Sequence, residues 1–179
     1  MEFYDALRGR HSVRAYQAKE VEAVKLNRIL EAARSAPSAG NLQSYEVFIV
    51  RDEQKKRALA DAAHGQGFVV EAPVVLVFCA APERSHKYGK RGLELYCVQD
   101  ATIAAAYAWL AAVAEGLAAC WVGAFDDNAT LKVLNANSSL ASRARYDTLK
   151  PVAILPIGYA AEKPEATERR ALKELVHEV

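Results

Sequence analysis

Apolar residues in the first third of the chain recur with helical spacing. Between residues 21 and 35 they return at close to every 3.6 positions, with Glu and Arg between them, which predicts an amphipathic helix. Because the residue before a proline disfavours helical torsions, Pro37 is expected to end this helix. Shorter helices are predicted over residues 3–7 and 53–63.

Four apolar runs predict β-strands. The run at residues 74–78 is continuously apolar and β-branched, a pattern typical of a strand that is buried on both faces. The other runs are residues 47–50, residues 119–125 as a strand and turn, and residues 152–157, which Gly158 closes. Residues 82–90 are polar and are expected to form a loop or lid.

One long helix, from about residue 92 to residue 115, dominates the second half of the chain. It is rich in alanine and apolar on almost every side, so more than one of its faces must be covered. A single domain of this size can hardly cover them all, which predicts a helix buried in a dimer interface. Its longest apolar run, residues 101–114, has 14 residues. A membrane span needs about 18 or more, so no span is expected.

The remaining segments complete a single domain. Asn128 is expected to cap a short helix that ends at Val133. The stretch 135–147 is polar and irregular, and the tail after residue 168 combines a basic pair with alternating hydrophobic residues. Because the chain contains no internal repeat or linker, the order of elements predicts one α+β domain over residues 1–179.

The net charge and the cysteine content indicate which partners and which cellular compartment to expect. The formal net charge is +1, so nucleic acid and anionic membranes are not expected partners, and any anion site must be local. Cys79, Cys97 and Cys120 are scattered through apolar segments, which favours a reducing compartment over a disulfide framework. We recognise no signal peptide and expect a cytoplasmic protein. The His and Cys residues lack the spacing of a zinc site, so no metal is expected.

The first candidate site is the segment 10–14, RHSVR. In an extended segment Arg10, Ser12 and Arg14 would project from one face. Arginine suits phosphate because its planar fork donates two parallel hydrogen bonds, and Arg14 could instead meet a cofactor ring. The alternative is a basic surface turn after a helix, since short basic motifs are weak evidence.

The second candidate site is the segment 37–43, PSAGNLQ. Gly40 permits a tight turn, and the amides of Asn41 and Gln43 both donate and accept hydrogen bonds, as a flat ring with hydrogen-bonding groups at its edge requires. The alternative is a turn that ends the preceding helix and points its amides into water.

Two weaker candidates lie towards the C-terminus. Val122 and Gly123 end an apolar strand, where a glycine lets the backbone approach a ligand closely and present an N–H to it. Simple packing around a turn is the alternative. Arg169 and Arg170 are candidate phosphate ligands, although a solvated charge pair is commoner. Together with Arg10 they would offset a group that carries about two negative charges at neutral pH.

Other motifs give weaker evidence for a functional site. The segment 65–67, GQG, lacks the glycine-rich helix start of a dinucleotide-binding or P-loop site. Ser38 lacks the GxSxG setting of a hydrolase. Lys87, Lys90 and Arg91 form a small basic cluster, which fits a solvated loop or a contact for a nicotinamide nucleotide or an acidic substrate.

In their order along the chain these motifs resemble the FMN-dependent nitroreductase family. Besides the two opening segments, the similarity is carried by residues 68–77, 99–105, 116–125 and 150–159, and it covers nearly the whole chain. The resemblance implies a three-layer α+β fold, in which helices flank a central, mostly antiparallel sheet. It also implies a long central helix at the interface of a homodimer with two FMN sites.

The resemblance implies an activity as well. NADH or NADPH reduces bound FMN and leaves, and a nitroaromatic, a quinone or another small electrophile takes its place in a ping-pong cycle. Hydride passes directly between nicotinamide and flavin, so no indispensable acid or base of the protein is expected. The sequence does not choose between NADH and NADPH.

The family pattern also assigns cofactor-binding residues. Those assigned to the phosphate, the ribityl chain and the pyrimidine edge are Arg10, His11, Ser12 and Arg14. Those that line the ring from the partner subunit are Pro37, Ser38 and Ala39, with Asn41 and Gln43 nearby. Those on the flavin N5 side are Val122 and Gly123, and those that return to the phosphate are Arg169 and Arg170.

Three departures from the family pattern leave the oxidant open. Ser44 and Tyr45 stand where the family often has Pro-Trp, the stretch 135–147 is longer, and the lid between residues 82 and 92 is short, which predicts an open site. Two rival functions remain. One is the same fold with different flavin chemistry, such as dehalogenation or flavin fragmentation, and the other is a non-catalytic FMN-binding or partner-binding module.

Overall fold

The computed structural model describes residues 2–135 and 148–179. In this part of the chain the central feature is a four-stranded antiparallel sheet with the strand order β1-β2-β4-β3. The strands are β1 Tyr45–Val50, β2 Val74–Ala80, β3 Ala118–Ala119 and β4 Lys150–Gly158. Apart from Asn135, the irregular stretch at 135–147 lies outside the described residues.

Strand β2 is central to the sheet, and all seven of its residues are buried. Alternate residues face opposite layers, so that Leu76 packs in one hydrophobic cluster and Val77 in the other. Leu76 lies opposite Ile49 of β1 and Leu155 of β4. The continuous apolar run predicted this burial on both faces, and the structure confirms it.

Helices cover both faces of the sheet and complete three layers. The α-helices of the described residues are α1 Phe3–Gly9, α2 Ala23–Arg34, α3 Glu53–Ala62, α4 Phe68–Glu71, α5 Gly89–Arg91, α6 Cys97–Ala114 and α7 Asp127–Asn135. Buried residues of α2 and α6 pack on one face of the sheet, and those of α3, α4 and α7 pack on the other. The three-layer α+β architecture is therefore confirmed.

The segment 82–90, predicted as a loop, is helical. A 3₁₀-helix, Pro82–Tyr88, leads through α5 and a π-helical turn, Gly92–Tyr96, into α6. Pro82 and Ser85 are its buried residues. Because side chains three residues apart lie on one side of a 3₁₀-helix, the segment packs with few apolar residues and keeps the polar composition that suggested a loop.

The start of α7 also differs from the prediction. Asn128 lies inside the helix, which begins at Asp127. The capping side chain is Asp126, whose Oδ1 accepts a hydrogen bond from the Ala129 N–H at 2.7 Å. The prediction of Asn128 as the cap is wrong because an aspartate two residues earlier already satisfies the first turn.

Helix α6 is the core helix of the domain. The helical stretch 82–114 is long and apolar enough, by length and composition, to cross a membrane. However, eight residues of α6 are buried within the domain, so we interpret it as a core helix. On its outer side Tyr107 is 40% exposed, and Phe3 of α1 is 63% exposed. Both line an apolar surface cavity of about 470 Å³.

Candidate functional site

The first motif lies in an extended segment beside β3. Val13 is buried, and its N–H donates to the Ala119 carbonyl at 3.2 Å. The Tyr16 hydroxyl lies 2.8 Å from the Val13 carbonyl and 3.1 Å from the Pro156 carbonyl, and it ties the segment to β4. Because Val13 faces the core, its neighbours Ser12 and Arg14 turn outward.

Five of the predicted site residues meet around one cavity of about 370 Å³, which we call the arginine cavity. It is lined by Arg10, His11, Ser12, Arg14 and Arg169, together with Pro164, Glu165 and Thr167 of the C-terminal tail. The tail is anchored by Glu162, whose Oε1 accepts a hydrogen bond from the Arg14 N–H at 2.5 Å. The fold thus brings both ends of the chain to one place, where Arg169 lines the cavity and Arg170 does not.

The cavity is electropositive. Three arginines and one carboxylate, Glu165, line it. None of the ion pairs formed between described residues involves Arg10, Arg14 or Arg169. Partial burial, and then the nearby charge of Arg169, lower the pKa of Arg10. Three arginines against one carboxylate leave an excess of positive charge in the cavity, which suits an anion.

The second motif forms a tight turn with unusual backbone torsions. Gly40 and Asn41 have φ values of 57°, and Gln43 has a φ of 47°. The Ser38 Oγ accepts a hydrogen bond from the Gln43 N–H at 3.0 Å, and the Gln43 side chain donates to the Asn41 carbonyl at 2.7 Å. Left-handed torsions at non-glycine residues persist only where surrounding contacts hold them. The turn is therefore a rigid feature, and its amides bond partly to each other.

Two side chains from distant segments fix this turn. The Asp100 carboxylate is buried and accepts hydrogen bonds from the Ala39 N–H at 2.9 Å and the Ser44 N–H at 3.2 Å. Arg84, on the 3₁₀-helix, donates to the Gln43 carbonyl at 2.9 Å and also pairs with Glu46. These contacts hold both ends of the turn in place.

A second cavity, of about 540 Å³, adjoins this turn. It is lined by Pro37, Ser38 and Ala39, and by Tyr96, Val98, Gln99, Asp100, Thr102 and Ile103. It shares no lining residue with the arginine cavity. Within one chain, the two predicted halves of the cofactor site therefore line separate cavities.

Strand β3, Ala118–Ala119, is shorter than the strand and turn predicted at 119–125. Beyond Ala119 the pairing reduces to an isolated bridge, in which Val122 and Ile154 exchange two backbone hydrogen bonds of 3.0 Å. The Val122 N–H is thereby used within the sheet. Gly123 is exposed, and its N–H takes part in none of the backbone hydrogen bonds formed between described residues. Gly123 is the better placed of the two to donate to a ligand.

Aromatic side chains cover the turn at 37–43. The Tyr88 hydroxyl lies so near Gly40 that a Cβ there would be 2.2 Å from it. Tyr88 packs edge-to-face against Tyr96, with ring centroids 5.5 Å apart, and the Arg91 Nε donates to the Tyr96 hydroxyl at 3.0 Å. The segment predicted as a short lid therefore lies over the second motif.

Comparison with known proteins identifies the family. The model of the nitroreductase family matches residues 7–71 and 64–159. The chain belongs to the nitroreductase family, a family of oxidoreductase enzymes. The family that the order of the motifs predicted is thereby confirmed.

Three relatives illustrate the similarity. A Thermus thermophilus NADH dehydrogenase is 54% identical over 71 residues, which are 40% of this chain and 35% of that protein. A Bacillus subtilis FMN reductase [NAD(P)H] is 35% identical over 139 residues, which are 71% of this chain and 56% of that protein. These alignments span less than two thirds of either relative. The structure of an FMN-dependent nitroreductase from Clostridium difficile R20291 matches with a TM-score of 0.77 and 29% identity, and the match covers 96% of each chain.

Sequence reasoning reached the nitroreductase family without assigning roles to Asp100 and Arg84. Asp100 carries a recognisable signal, because a lone acid at the start of an apolar helix needs a buried partner. Arg84 carries none, since it is one of several basic residues in a polar segment. For the residues assigned to the cofactor, the structure brings Arg10 and Arg169 together and leaves Arg170 outside their cavity.

Proposed function

We propose that this nitroreductase-family chain is an FMN-dependent NAD(P)H oxidoreductase. The proposed reaction transfers hydride from NADH or NADPH, by way of FMN, to a nitroaromatic, a quinone or another small electrophile. The observation that carries the proposal is the cavity in which Arg10, Ser12, Arg14 and Arg169 converge. The name of the Bacillus relative as an FMN reductase supports the choice of cofactor.

The residues around the arginine cavity fit a phosphate monoester. Such a group carries about −1.5 to −2 charges at neutral pH and offers three strong acceptor oxygens. Arg10 and Arg169 supply planar forks of donors that no ion pair with a described residue occupies, and Ser12 adds a hydroxyl. The low net charge of the chain makes this local concentration of arginines the more significant.

The second cavity fits a flat ring. Pro37, Ser38 and Ala39 present small side chains along one wall, and Asp100 holds the backbone of this wall by its bond to Ala39. Bound FMN would supply the hydride chemistry itself, so the protein's task is to bind, orient and shield. In this role Arg14 would meet the pyrimidine edge, and the Gly123 N–H would point to the N5 side.

We propose a homodimer as the working form. The arginine cavity and the wall formed by residues 37–39 are separate within one chain, so a complete site needs a second copy to bring them together. The outer sides of α1 and α6, with the exposed Phe3 and Tyr107, offer an apolar surface for that copy. Each of the two sites would then combine arginines from one subunit with a ring wall from the other.

An anaerobic titration tests the proposal. The purified chain is reconstituted with FMN and titrated with NADH and then with NADPH, while the flavin absorbance near ~450 nm is recorded. Bleaching by either nucleotide is the expected result. FMN that is retained but not bleached would favour the non-catalytic binding module or another reductant, and failure to retain FMN would overturn the cofactor assignment.

A further inference from the structure

Arg10 is stacked on an aromatic ring, and no acid among the described residues forms an ion pair with it. Its guanidinium carbon lies 4.4 Å from the centroid of the Trp109 ring. Trp109 belongs to α6, the core helix, and is half-buried. The contact therefore joins a residue of the opening motif to the core helix α6.

This arrangement solves a physical problem at the arginine cavity. Arg10 is partly buried and lies near Arg169, and both effects lower its pKa and disfavour its charge. A carboxylate would offset this cost, but it would also occupy the donors that an anion needs. The face of an indole ring attracts a cation through its quadrupole and leaves the N–H groups at the guanidinium edge free.

We propose that Trp109 is the positioning residue for Arg10, holding its guanidinium so that the donor edge faces the phosphate of the cofactor. This inference rests on the proposed function, because it concerns the same cavity. Trp109 acts through Arg10 and does not line the arginine cavity.

The indole N–H supports a role for the ring face. Trp109 Nε1 is buried and has no hydrogen-bond partner among the described residues. A tryptophan retained for its hydrogen bond would have a partner, since an unsatisfied buried donor is costly. Phenylalanine lacks this N–H and keeps an aromatic face, so it should replace Trp109 with a small loss, whereas a flexible aliphatic side chain should not.

Binding titrations with two flavins test the inference. The apoprotein and its Trp109→Phe and Trp109→Met variants are titrated with FMN and with riboflavin, which lacks the phosphate, and flavin fluorescence is measured. Because a cation–π contact is worth about 0.5–2 kcal/mol, Trp109→Met should raise the Kd for FMN about two- to thirtyfold. The Kd for riboflavin should stay unchanged, and Trp109→Phe should lie nearer to the wild type.

A second series separates positioning from general packing. In an Arg10→Gln background, Trp109→Met should cause no further loss of FMN affinity, because the group on which it acts is gone. Equal losses for FMN and riboflavin, or an unchanged Kd for FMN in a folded Trp109→Met variant, would overturn the inference. If Trp109→Met does not fold, the test uses Trp109→Phe. This variant should lose a smaller amount of affinity for FMN and none for riboflavin, and the absence of that difference would overturn the inference.

The outcomes also separate this inference from the proposed function. A wild-type chain that binds inorganic phosphate but not FMN would overturn the proposed function alone, and the variants would then be compared by their affinity for phosphate. A wild-type chain that binds neither ligand would overturn both. FMN binding that does not depend on Trp109 would overturn only the positioning role.

Discussion

The carboxylate of Asp100 accepts a hydrogen bond from the backbone N–H of Ala39 at 2.9 Å. Its other oxygen accepts from the Ser44 N–H at 3.2 Å, so a single side chain of the core helix holds both ends of the turn at 37–43. A carboxylate suits this place because each of its two oxygens can accept a hydrogen bond, and both partners are backbone donors. Asp100 of α6 therefore fixes the position of residues 37–39, the wall of the second cavity.

Replacing Asp100 by asparagine should loosen the turn. An amide keeps one acceptor, but its NH₂ group would face the second backbone N–H, and two donors cannot bond. We expect Asp100→Asn to lower the free energy of unfolding by about 1–3 kcal/mol, measured by urea denaturation. Asp61→Asn, on the exposed side of α3, is the matched control and should change it by less than about 0.5 kcal/mol. Equal effects of the two variants would contradict the anchoring role.

The two neighbouring arginines of the tail should differ in their effect on cofactor binding. Arg169 lines the arginine cavity and Arg170 does not. Arg169→Gln should therefore raise the Kd for FMN about three- to thirtyfold without changing that for riboflavin, since it removes a charge-assisted hydrogen bond from an exposed position. Arg170→Gln should raise it less than about twofold, because this exposed charge lies outside the cavity and is screened by solvent.

The same pair of variants gives a second, independent readout. Because Arg169 helps to lower the pKa of Arg10, removing its charge relieves a repulsion in the free protein. The melting temperature of the Arg169→Gln apoprotein should be no lower than that of the wild type, although its FMN affinity falls. A larger loss of FMN affinity in Arg170→Gln would reverse the assignment of the phosphate ligand.

The sequence predicted those parts of the site that depend on local pattern. Arg10, Ser12 and Arg14 were expected on one side of an extended segment, and the burial of Val13 between them accounts for this arrangement. The two-sided burial of β2 followed in the same way from its composition. Both depend on the period-two geometry of extended chain, which neighbouring residues fix by themselves.

The contacts that hold the site could not be predicted in this way. Asp100 meets Ala39, and Trp109 meets Arg10, across many intervening residues. Periodicity assigns a residue to a face of its helix but does not say which distant segment packs there. The 3₁₀-helix Pro82–Tyr88 was not predicted either, because few of its residues are buried and its polarity resembles that of a loop.

Gly40 should tolerate a side chain less well than another glycine of similar backbone conformation. Gly40 and Gly65 have φ values of 57° and 79°, so alanine at either position is strained. A Cβ at Gly40 would in addition lie 2.2 Å from the Tyr88 hydroxyl, whereas at Gly65 nothing lies within 4 Å. We expect Gly65→Ala to cost about 1–2 kcal/mol of unfolding free energy. Gly40→Ala should cost about 0.5–1.5 kcal/mol more, because the Tyr88 side chain must rotate away from the new Cβ.

A double variant identifies the source of the difference. Truncating the covering side chain in Gly40→Ala/Tyr88→Ala should remove the extra cost relative to Tyr88→Ala alone, leaving a loss close to that of Gly65→Ala. Thermal or urea unfolding of the four variants provides the measurement. An extra cost that persists without the Tyr88 ring would show that the turn itself, rather than the cover, is intolerant.

Stability at alkaline pH should depend on Cys79. Burial, with smaller effects of Glu46 and Asp127, raises the pKa of the Cys79 thiol to about 12. In the unfolded chain the thiol ionises near a pKa of about 8.5. The stabilisation is therefore complete below this pH and is lost as the pH rises towards 12, by up to about 1.4 kcal/mol per pH unit.

A Cys79→Ala variant isolates this contribution. The free energy of unfolding is measured at several pH values between 8 and 10.5 for the variant and the wild type. The cavity left by the smaller side chain lowers stability at every pH, so the informative quantity is the slope. The difference between the two proteins should shrink as the pH rises, and a constant difference would contradict the high pKa of the buried thiol.

Mixed dimers test whether each cofactor site is shared between subunits. Arg10→Gln damages the arginine cavity, and Ala39→Trp fills the cavity beside the ring wall, so each homodimer should bind FMN poorly. In a heterodimer of the two variants, purified with two different tags, one shared site would carry both changes and the other neither. We therefore expect about one tightly bound FMN per heterodimer. If all contacts came from a single chain, both sites would be defective and mixing would restore nothing. Two differently tagged copies of Arg10→Gln are the control, which should remain defective and so exclude an effect of the tags or of refolding.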